Sequence, residues 1–321
     1  MITSVVGNFP KVSETTYSTK LIGSISRWER KELGDNGLEN VFQEITRAVI
    51  EEQDQAGLDL LTDGQIRWDD LVRPVARRLE GAQINGLSRW YNNNVYYRRP
   101  VIRGPLSRKG PMLVDDYRFA ASCTEKPIKA VLPGPYTFAL VSEDRHYRKL
   151  RPLVLRLAEI LNQEAQALAE AGAPLIQFDE PSVGFQKTDF KLLLEALRVA
   201  TRHIKTKTAV STYFGSVNGT LENLQKAPVD IIGLDIVSDS KAFAALKRAK
   251  ITKELALGCV DGRNTKLESV SDLHAIFDAV KKRLPLDRVT VNPNCGLEFL
   301  PHTQALAKVQ RLVEAVRAYR N

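Results

Sequence analysis

Two adjacent carboxylates end a short apolar run in the segment Leu175-Ile176-Gln177-Phe178-Asp179-Glu180-Pro181. The run is too short for a helix and follows Ala-Gly-Ala-Pro, so it predicts a buried strand. Asp179 and Glu180 would then lie at the strand's carboxyl end, where α/β sheets and barrels bind ligands. There they could bind an amine or act as acid and base. The alternative is that Asp179 caps the next element and Glu180 faces solvent.

Cysteine is the other reactive side chain at a predicted strand end. Cys295 lies in Asn292-Pro293-Asn294-Cys295-Gly296, directly after the last apolar run, and Cys259 ends the run before it. A zinc site needs three or four nitrogen, sulfur or carboxylate ligands. Only Cys295 and Asp235 are candidates, because the four histidines show no metal-binding spacing. The alternative for Cys295 is a buried residue that only packs.

Eight short apolar runs, mostly separated by helical patterns, must position these side chains. Each run ends in Gly, Pro, Asn or Asp, and the alternation predicts parallel strands in an α/β fold. Eight such units predict a single (β/α)8 TIM barrel over residues 1–321. An open doubly wound sheet is the alternative, but no GxGxxG or Walker loop is present. The runs are 3–6, 58–62, 128–132, 175–181, 208–211, 231–235, 255–258 and 289–291.

Two stretches interrupt this regular alternation. Residues 27–55 carry apolar residues at helical spacing, which predicts one long helix that ends at Ala56-Gly57. Residues 81–125 are rich in Asn, Tyr, Arg and Gly. We interpret them as an excursion from the barrel with a strand pair that includes Val95-Tyr96-Tyr97, and not as a second domain.

Composition restricts the class of protein. No apolar run reaches the roughly 18 residues of a membrane span, and no signal peptide is recognised at the N-terminus. An odd number of cysteines, three, argues against a disulfide framework and favours the cytoplasm. The net charge of +8 fits a small acidic ligand, or simply a basic surface. No nucleic-acid-binding motif is present, so neither nucleic acid nor a membrane is an expected partner.

Taken together, these motifs resemble the cobalamin-independent methionine synthase family, among the uroporphyrinogen decarboxylase-like barrels. The resemblance covers nearly the whole chain, and it implies a barrel that binds homocysteine and zinc and takes its methyl group from methyltetrahydrofolate. Zinc would hold the substrate as a thiolate, because the thiolate is the nucleophile. The motifs are Gly7-Asn8-Phe9-Pro10, Gly57-Leu58-Asp59-Leu60-Leu61, Gly134-Pro135-Tyr136-Thr137, Asp179-Glu180-Pro181 and Asn292-Pro293-Asn294-Cys295-Gly296-Leu297.

The chain departs from the family at the implied zinc ligands. Where the family has a His-x-Cys pair after the fifth strand, this chain has Ser211-Thr212-Tyr213. Asp235 stands in place of the family's glutamate, and Cys295 alone has a direct counterpart. The second half of the chain resembles the family's zinc-free N-terminal barrel. The resemblance therefore implies a single-barrel relative with a degraded zinc site.

The same resemblance assigns roles to individual residues. Asn8, Gln65 and Asp179 fall where the family binds the polar groups of the amino acid. Gln65 replaces a glutamate, which weakens the expected hold on an ammonium group. The predicted catalytic residues are Asp179, Glu180 and Cys295. The predicted substrate-binding residues are Gly7, Asn8, Gln65, Asp179, Tyr213, Asp235 and Asn292.

Three functions remain open on the sequence. The first is a methyltransferase of the methionine synthase type, acting on homocysteine or another thiol. The second is a non-catalytic barrel that pairs with a separate zinc-bearing chain, as the missing ligands suggest. The third is a metal-free decarboxylase-type enzyme, which the basic residues between Arg98 and Arg103 permit.

Overall fold

The computed structural model describes residues 1–11, 16–216, 219–239 and 241–320. Strands and helices alternate along most of the chain. The strands are β1 (Ile2–Thr3), β2 (Leu79–Arg89), β3 (Tyr96–Arg108), β4 (Ala130–Pro133), β5 (Glu143–Asp144), β6 (Leu175–Asp179), β7 (Lys207–Thr212), β8 (Ile231–Asp235), β9 (Glu254–Val260) and β10 (Val289–Pro293). The helices are α1 (Thr16–Glu29), α2 (Asp35–Ala56), α3 (Arg73–Ala76), α4 (Val114–Ala121), α5 (Pro135–Val141), α6 (Leu150–Glu170), α7 (Phe190–Ala200), α8 (Leu221–Leu224), α9 (Ala242–Arg248), α10 (Val270–Lys281) and α11 (His302–Arg320).

The described chain divides into two compact units. The first unit comprises Met1–Arg67, Arg118–Ile128 and Leu257–Asn321, and the second comprises Trp68–Tyr117 and Lys129–Ala256. That the whole chain forms one domain stays a prediction. None of the described helices is long and apolar enough to cross a membrane.

In the second unit, β4, β6, β7 and β8 lie side by side and all pair in parallel. All five residues of β6 are buried, as expected for a strand covered on both faces. The register places Asp179 between Pro133 of β4 and Ser211 of β7. The carboxylate predicted at the end of a strand is therefore flanked by two neighbouring strand ends.

The first unit contains the beginning and the end of the strand succession. β1 pairs in parallel with β10, with Ile2 opposite Thr290. The segment 58–62, predicted as a strand, forms only two parallel bridges, Ser4 to Leu60 and Leu61 to Ile128. Parallel pairing in both units confirms the predicted α/β class.

The excursion is an antiparallel hairpin of β2 and β3, followed by α4. This confirms the predicted strand pair, although β3 begins at Tyr96, one residue later than expected. Glu164 of α6 anchors the segment after the hairpin. It is fully buried, accepts hydrogen bonds from the Met112 and Leu113 N–H groups, and forms an ion pair with Arg108 at 2.7 Å.

The prediction of one helix over 27–55 is wrong in its first part. α1 ends at Glu29 and α2 begins at Asp35, with a turn between them. Lys31 has a left-handed φ of 62°, which a helix cannot contain, and Gly34 is the extended residue before α2. The predicted stop is confirmed, because Gly57 caps α2 at φ 89°.

Candidate functional site

Asp179 lies at the centre of a buried hydrogen-bond chain in the second unit. The Lys129 Nζ donates to Gln177 Oε1 at 2.7 Å, and Gln177 Nε2 donates to Asp179 Oδ1 at 2.7 Å. The Tyr213 hydroxyl donates to Asp179 Oδ2 at 3.0 Å. Gln177 and Asp179 share one face of β6 because side chains two residues apart point the same way. Both Asp179 oxygens thus act as acceptors.

In this hydrogen-bond chain, the positive charge of Lys129 and the negative charge of Asp179 compensate each other, with the Gln177 amide between them. Lys129 and Asp179 are 6% and 3% exposed, so neither charge is well hydrated. Burial lowers the pKa of the Lys129 ammonium to about 8, while the charge of Asp179 acts in the opposite direction. An ammonium near this pKa is still mostly charged at neutral pH. A cationic group of a ligand placed beside the Asp179 carboxylate would be attracted to its negative charge.

Glu180 is fully buried, and its carboxylate accepts hydrogen bonds from the backbone. Tyr136 N–H donates to Oε1 at 3.0 Å and Thr137 N–H donates to Oε2 at 2.6 Å, both in the first turn of α5. Burial raises the pKa of the Glu180 carboxyl to about 7. The catalytic role of Glu180 stays a prediction. Its position gives it a structural role, because it joins the end of β6 to α5.

Gly134 makes room for this carboxylate. A Cβ atom added at Gly134 would overlap with the Glu180 side chain. We expect Gly134→Ala to lower the free energy of unfolding by about 1–3 kcal/mol, because a packed site must shift. Urea unfolding followed by circular dichroism measures this. Gly23→Ala is the control, since Gly23 lies in α1 with open space around it, and this change should keep or slightly raise stability. If both variants unfold at the wild-type urea concentration, this packing argument is wrong.

Asp235 uses its carboxylate to hold two loops. Oδ1 accepts from the Val237 and Ser238 N–H groups, both at 2.9 Å, and Oδ2 accepts from Phe214 N–H at 3.1 Å. Phe214 has a left-handed φ of 69° directly after Tyr213. Asp235 therefore fixes the backbone that follows β7, and with it the Tyr213 side chain that contacts Asp179.

In the first unit, Gly7, Asn8 and Gln65 form a second polar group. Asn8 Nδ2 donates to Glu298 Oε1 at 3.3 Å, and the Asn8 carbonyl accepts from Leu297 N–H at 3.0 Å. Gln65 is 1% exposed, with a left-handed φ of 51°. A Cβ atom on Gly7 would lie 3.2 Å from Gln65 Nε2. The glycine thus allows the amide to pack on its backbone.

Cys295 is fully buried in the same unit. A Cβ atom on Gly262 would lie 3.0 Å from its Sγ, and Gly262 N–H donates to Asn294 Oδ1 at 2.8 Å. Asn292 is also buried, and its Nδ2 donates to the Pro293 carbonyl at 2.6 Å. None of the three cysteines forms a disulfide. Burial raises the pKa of the Cys259 thiol to about 12, so Cys259 stays protonated.

Sequence reasoning missed three members of these groups. Lys129 and Gln177 were signalled by their polarity within otherwise apolar strands, at 128–132 and 175–178. Glu298 was not signalled by its own segment. Its carboxylate folds back over Gly296, where a Cβ atom would overlap with Oε2. Burial raises the pKa of the Glu298 carboxyl to about 7.

The zinc ion that the resemblance implies needs three or four nitrogen, sulfur or carboxylate ligands. Throughout the described part of the chain, no three His, Cys, Asp or Glu side chains form a group that could hold a metal ion. Asp235, one of the two candidate ligands, already accepts three backbone hydrogen bonds. The positions of the His-x-Cys pair carry Ser211 and Tyr213, which bring hydroxyl groups. Of the side chains at these positions, Cys295 and Asp235 are two candidate ligands, where a zinc site needs three or four.

Comparison with known proteins shows which protein family this chain is similar to. A family model described as cobalamin-independent synthase, catalytic domain, matches residues 1–318. The methionine synthase of Saccharolobus solfataricus is 30% identical over 320 residues, which cover 99% of this chain and 94% of that protein.

Solved structures show the same likeness in three dimensions. A vitamin-B12-independent methionine synthase from a Shewanella species, in complex with selenomethionine, matches with a TM-score of 0.84 and 25% identity. The match covers 99% of this chain and 97% of that one. The putative vitamin-B12-independent methionine synthase of Listeria monocytogenes gives a TM-score of 0.79 at 18% identity, over 98% and 96% of the two chains, and supports the fold alone. The predicted (β/α)8 TIM-barrel class is confirmed.

Proposed function

The chain belongs to the cobalamin-independent methionine synthase family, and from this we propose that it transfers a methyl group to the thiol of homocysteine. Family membership makes it a methyltransferase of the methionine synthase type. The observation that carries the choice of substrate is the match to the Shewanella enzyme, which holds selenomethionine. Selenomethionine is the selenium analogue of the product that this reaction would release.

The residues that would bind the amino acid carry suitable groups. Asp179 offers a buried carboxylate that is oriented by Gln177 and Tyr213, and such a group suits the substrate's ammonium. Holding the substrate's ammonium at Asp179 would help to fix where its sulfur lies, and positioning is a main source of rate in group transfer.

The methyl donor we propose is methyltetrahydrofolate, the co-substrate that the family implies. The homocysteine sulfur would attack the methyl carbon, forming a sulfur–carbon bond as the bond between carbon and the donor's nitrogen breaks. The thiol proton would end on the leaving nitrogen. Cys295 is the predicted catalytic residue that the resemblance matches to one of the family's zinc ligands, and its role is part of this proposal.

We further propose that the zinc site is degraded in this chain. The argument is the donor set: Ser211 and Tyr213 bring hydroxyls, and Asp235 is engaged by backbone N–H groups. Protein purified without an affinity tag should hold far less than one zinc per chain after metal is added and excess is removed. Elemental analysis by mass spectrometry measures this. About one tightly held zinc per chain would contradict the proposal.

Methyl transfer itself is tested on the purified chain. Incubation with homocysteine and methyltetrahydrofolate should yield methionine, detected by mass spectrometry, and omission of either compound should abolish it. If the chain alone forms no methionine but raises the rate of a zinc-bearing homologue above that of the homologue alone, the chain is an accessory barrel. If neither condition gives methionine while the chain binds homocysteine, methyltetrahydrofolate is the wrong donor.

A further inference from the structure

A cavity in the second unit lies between residues 77–82, which lead into β2, and residues 109–112, which follow β3. Its volume is about 580 Å³, and small-molecule sites commonly have volumes of this size. Among the described residues that line it, none is assigned to methyl transfer. The cavity is therefore a second candidate site, and its own lining residues determine what it could bind.

Three cations and one acid line the cavity: Arg77, Arg78, Lys109 and Glu80. Lys109 Nζ pairs with Glu80 Oε1 at 3.2 Å, and the two side chains are 74% and 54% exposed. Such an exposed pair contributes little free energy. Lys109 can therefore turn toward a ligand in the cavity at small cost.

Arg78 is held in place and still has a donor to offer. Its Nη1 donates to the Pro74 carbonyl at 3.0 Å, and this bond orients the guanidinium. Its Nη2 lies 3.9 Å from Asp116 Oδ2, which is an ion pair beyond hydrogen-bond distance. Nη2 can therefore donate a hydrogen bond to a ligand while Nη1 keeps the side chain in position.

Arg77 is the cation of this cavity that is left without a paired acid. Among the described residues, no acid forms an ion pair with its guanidinium. The two acids whose charges act on it are paired elsewhere, Asp69 with Arg73 at 2.8 Å and Asp116 with Arg78. Partial burial lowers the pKa of Arg77, and the positive charge of Arg78 lowers it further. An anion in the cavity would compensate this charge.

The two walls of the cavity are fixed by contacts outside it. Gly81 has a φ of 78°, and a Cβ atom there would overlap with the Pro105 carbonyl, so the glycine lets β2 pass close to β3. On the other wall, Met112 N–H donates to the buried Glu164 at 2.9 Å. A Cβ atom on Gly110 would meet nothing within 4 Å, which leaves room for a ligand. Fixed walls reduce the entropy that is lost when a ligand binds.

We propose that this cavity binds the phosphate group of a small phosphate ester. Arg77 and the Arg78 Nη2 donate hydrogen bonds to the phosphate oxygens, and Lys109 adds an ionic contact. A phosphate monoester carries nearly two negative charges at neutral pH, whereas a single carboxylate carries one. Three cations around one cavity fit the larger charge better. The inference goes beyond methyl transfer and does not depend on it.

The test titrates the full chain with glycerol 3-phosphate at constant ionic strength and follows the backbone amide signals by nuclear magnetic resonance. The N–H signals of Gly81 and Gly110, which lie on the two walls, should shift as the cavity fills and so locate the ligand. The dependence of these shifts on concentration gives the Kd. Acetate, titrated in the same way, shows how much a single carboxylate achieves.

Arg77→Gln should raise the Kd for glycerol 3-phosphate at least about tenfold, because a charge-assisted hydrogen bond is lost. Lys109→Gln should raise it by a smaller factor, since its contact is more exposed. Arg198→Gln is the matched control and should keep the wild-type Kd. Arg198 is an exposed arginine of α7 in the same unit, and it also forms no ion pair with a described acid.

Three results would overturn the assignment. Glycerol 3-phosphate might shift neither glycine signal in the wild type, which would show that the cavity stays empty. Equal Kd values for the wild type and Arg77→Gln would remove the arginine from the site. Acetate binding as tightly as glycerol 3-phosphate would show that the cavity does not select phosphate. Because every readout is binding at this cavity, none of these results depends on whether the chain forms methionine.

Discussion

Replacement of Asp179 by asparagine should lower kcat/KM for homocysteine by about 100-fold, equivalent to about 3 kcal/mol of transition-state stabilisation. Asparagine keeps the shape of the side chain and removes its charge. The bonds to Gln177 and Tyr213 can be rearranged around the new amide, but the buried Lys129 ammonium loses its compensating charge. The thermal midpoint should therefore fall, and rates are compared at a temperature where both proteins are folded. Initial rates of methionine formation, over a range of homocysteine concentrations, give the ratio.

The control for this variant is Asp189→Asn in the same unit. Asp189 is the exposed N-cap of α7, where its side chain accepts from Leu192 N–H, and asparagine caps equally well. This control should keep the wild-type kcat/KM. Wild-type activity in Asp179→Asn would remove Asp179 from the substrate site.

Replacement of Lys308 by methionine should lower the free energy of unfolding by about 3–5 kcal/mol. Lys308 is fully buried in α11, and its ammonium donates to both oxygens of Glu268, at 2.9 and 3.0 Å, and to the Lys266 carbonyl at 2.6 Å. Glu268 also accepts from Asp261 N–H at 2.8 Å. The variant leaves a largely buried carboxylate without its cation. Chemical denaturation followed by tryptophan fluorescence measures the change.

The double variant Lys308→Met/Glu268→Gln tests whether the unpaired charge is the cause. Because the orphaned charge is gone, the double variant should be more stable than Lys308→Met alone. A double variant that is less stable than the single one would show that lost packing, and not charge, dominates. Arg311→Met is not a suitable control, because its guanidinium also binds the Glu268 carbonyl.

Sequence patterns located the ends of two strands well, because the end of a strand depends on residues that are neighbours in sequence. The segment 175–181 gave β6 and placed Asp179 at its carboxyl end, and 231–235 matched β8. The helix predicted over 27–55 failed at its beginning. The break falls in the charged stretch Glu29-Arg30-Lys31-Glu32, where the left-handed backbone at Lys31 and the extended Gly34 separate the two helices.

The partners of the site residues could not be predicted in the same way. Glu298 meets Asn8 across 290 positions of sequence, and Lys129 meets Gln177 across 48. Such pairs depend on how strands are arranged in space, and one sequence contains no signal for which distant polar residues meet. Asp235 gives another example: its acidic side chain predicts a possible metal ligand, but the sequence contains no sign that its carboxylate accepts hydrogen bonds from the Val237 and Ser238 N–H groups.

The orientation of the Gln177 amide sets the direction of donation along the hydrogen-bond chain from Lys129 to Asp179. A carboxamide presents an oxygen on one side and an NH2 group on the other, and rotation by half a turn exchanges them. Lys129 can only donate, so it holds the oxygen on its own side and turns the NH2 group toward Asp179. The residue at position 129 therefore decides whether the strand end beside it favours a negative or a neutral carboxyl. An acceptor side chain at position 129 would turn the Gln177 amide by half a turn, so that its oxygen faced Asp179. The preferred charge of the ligand would then change, although Gln177 and Asp179 themselves stayed the same.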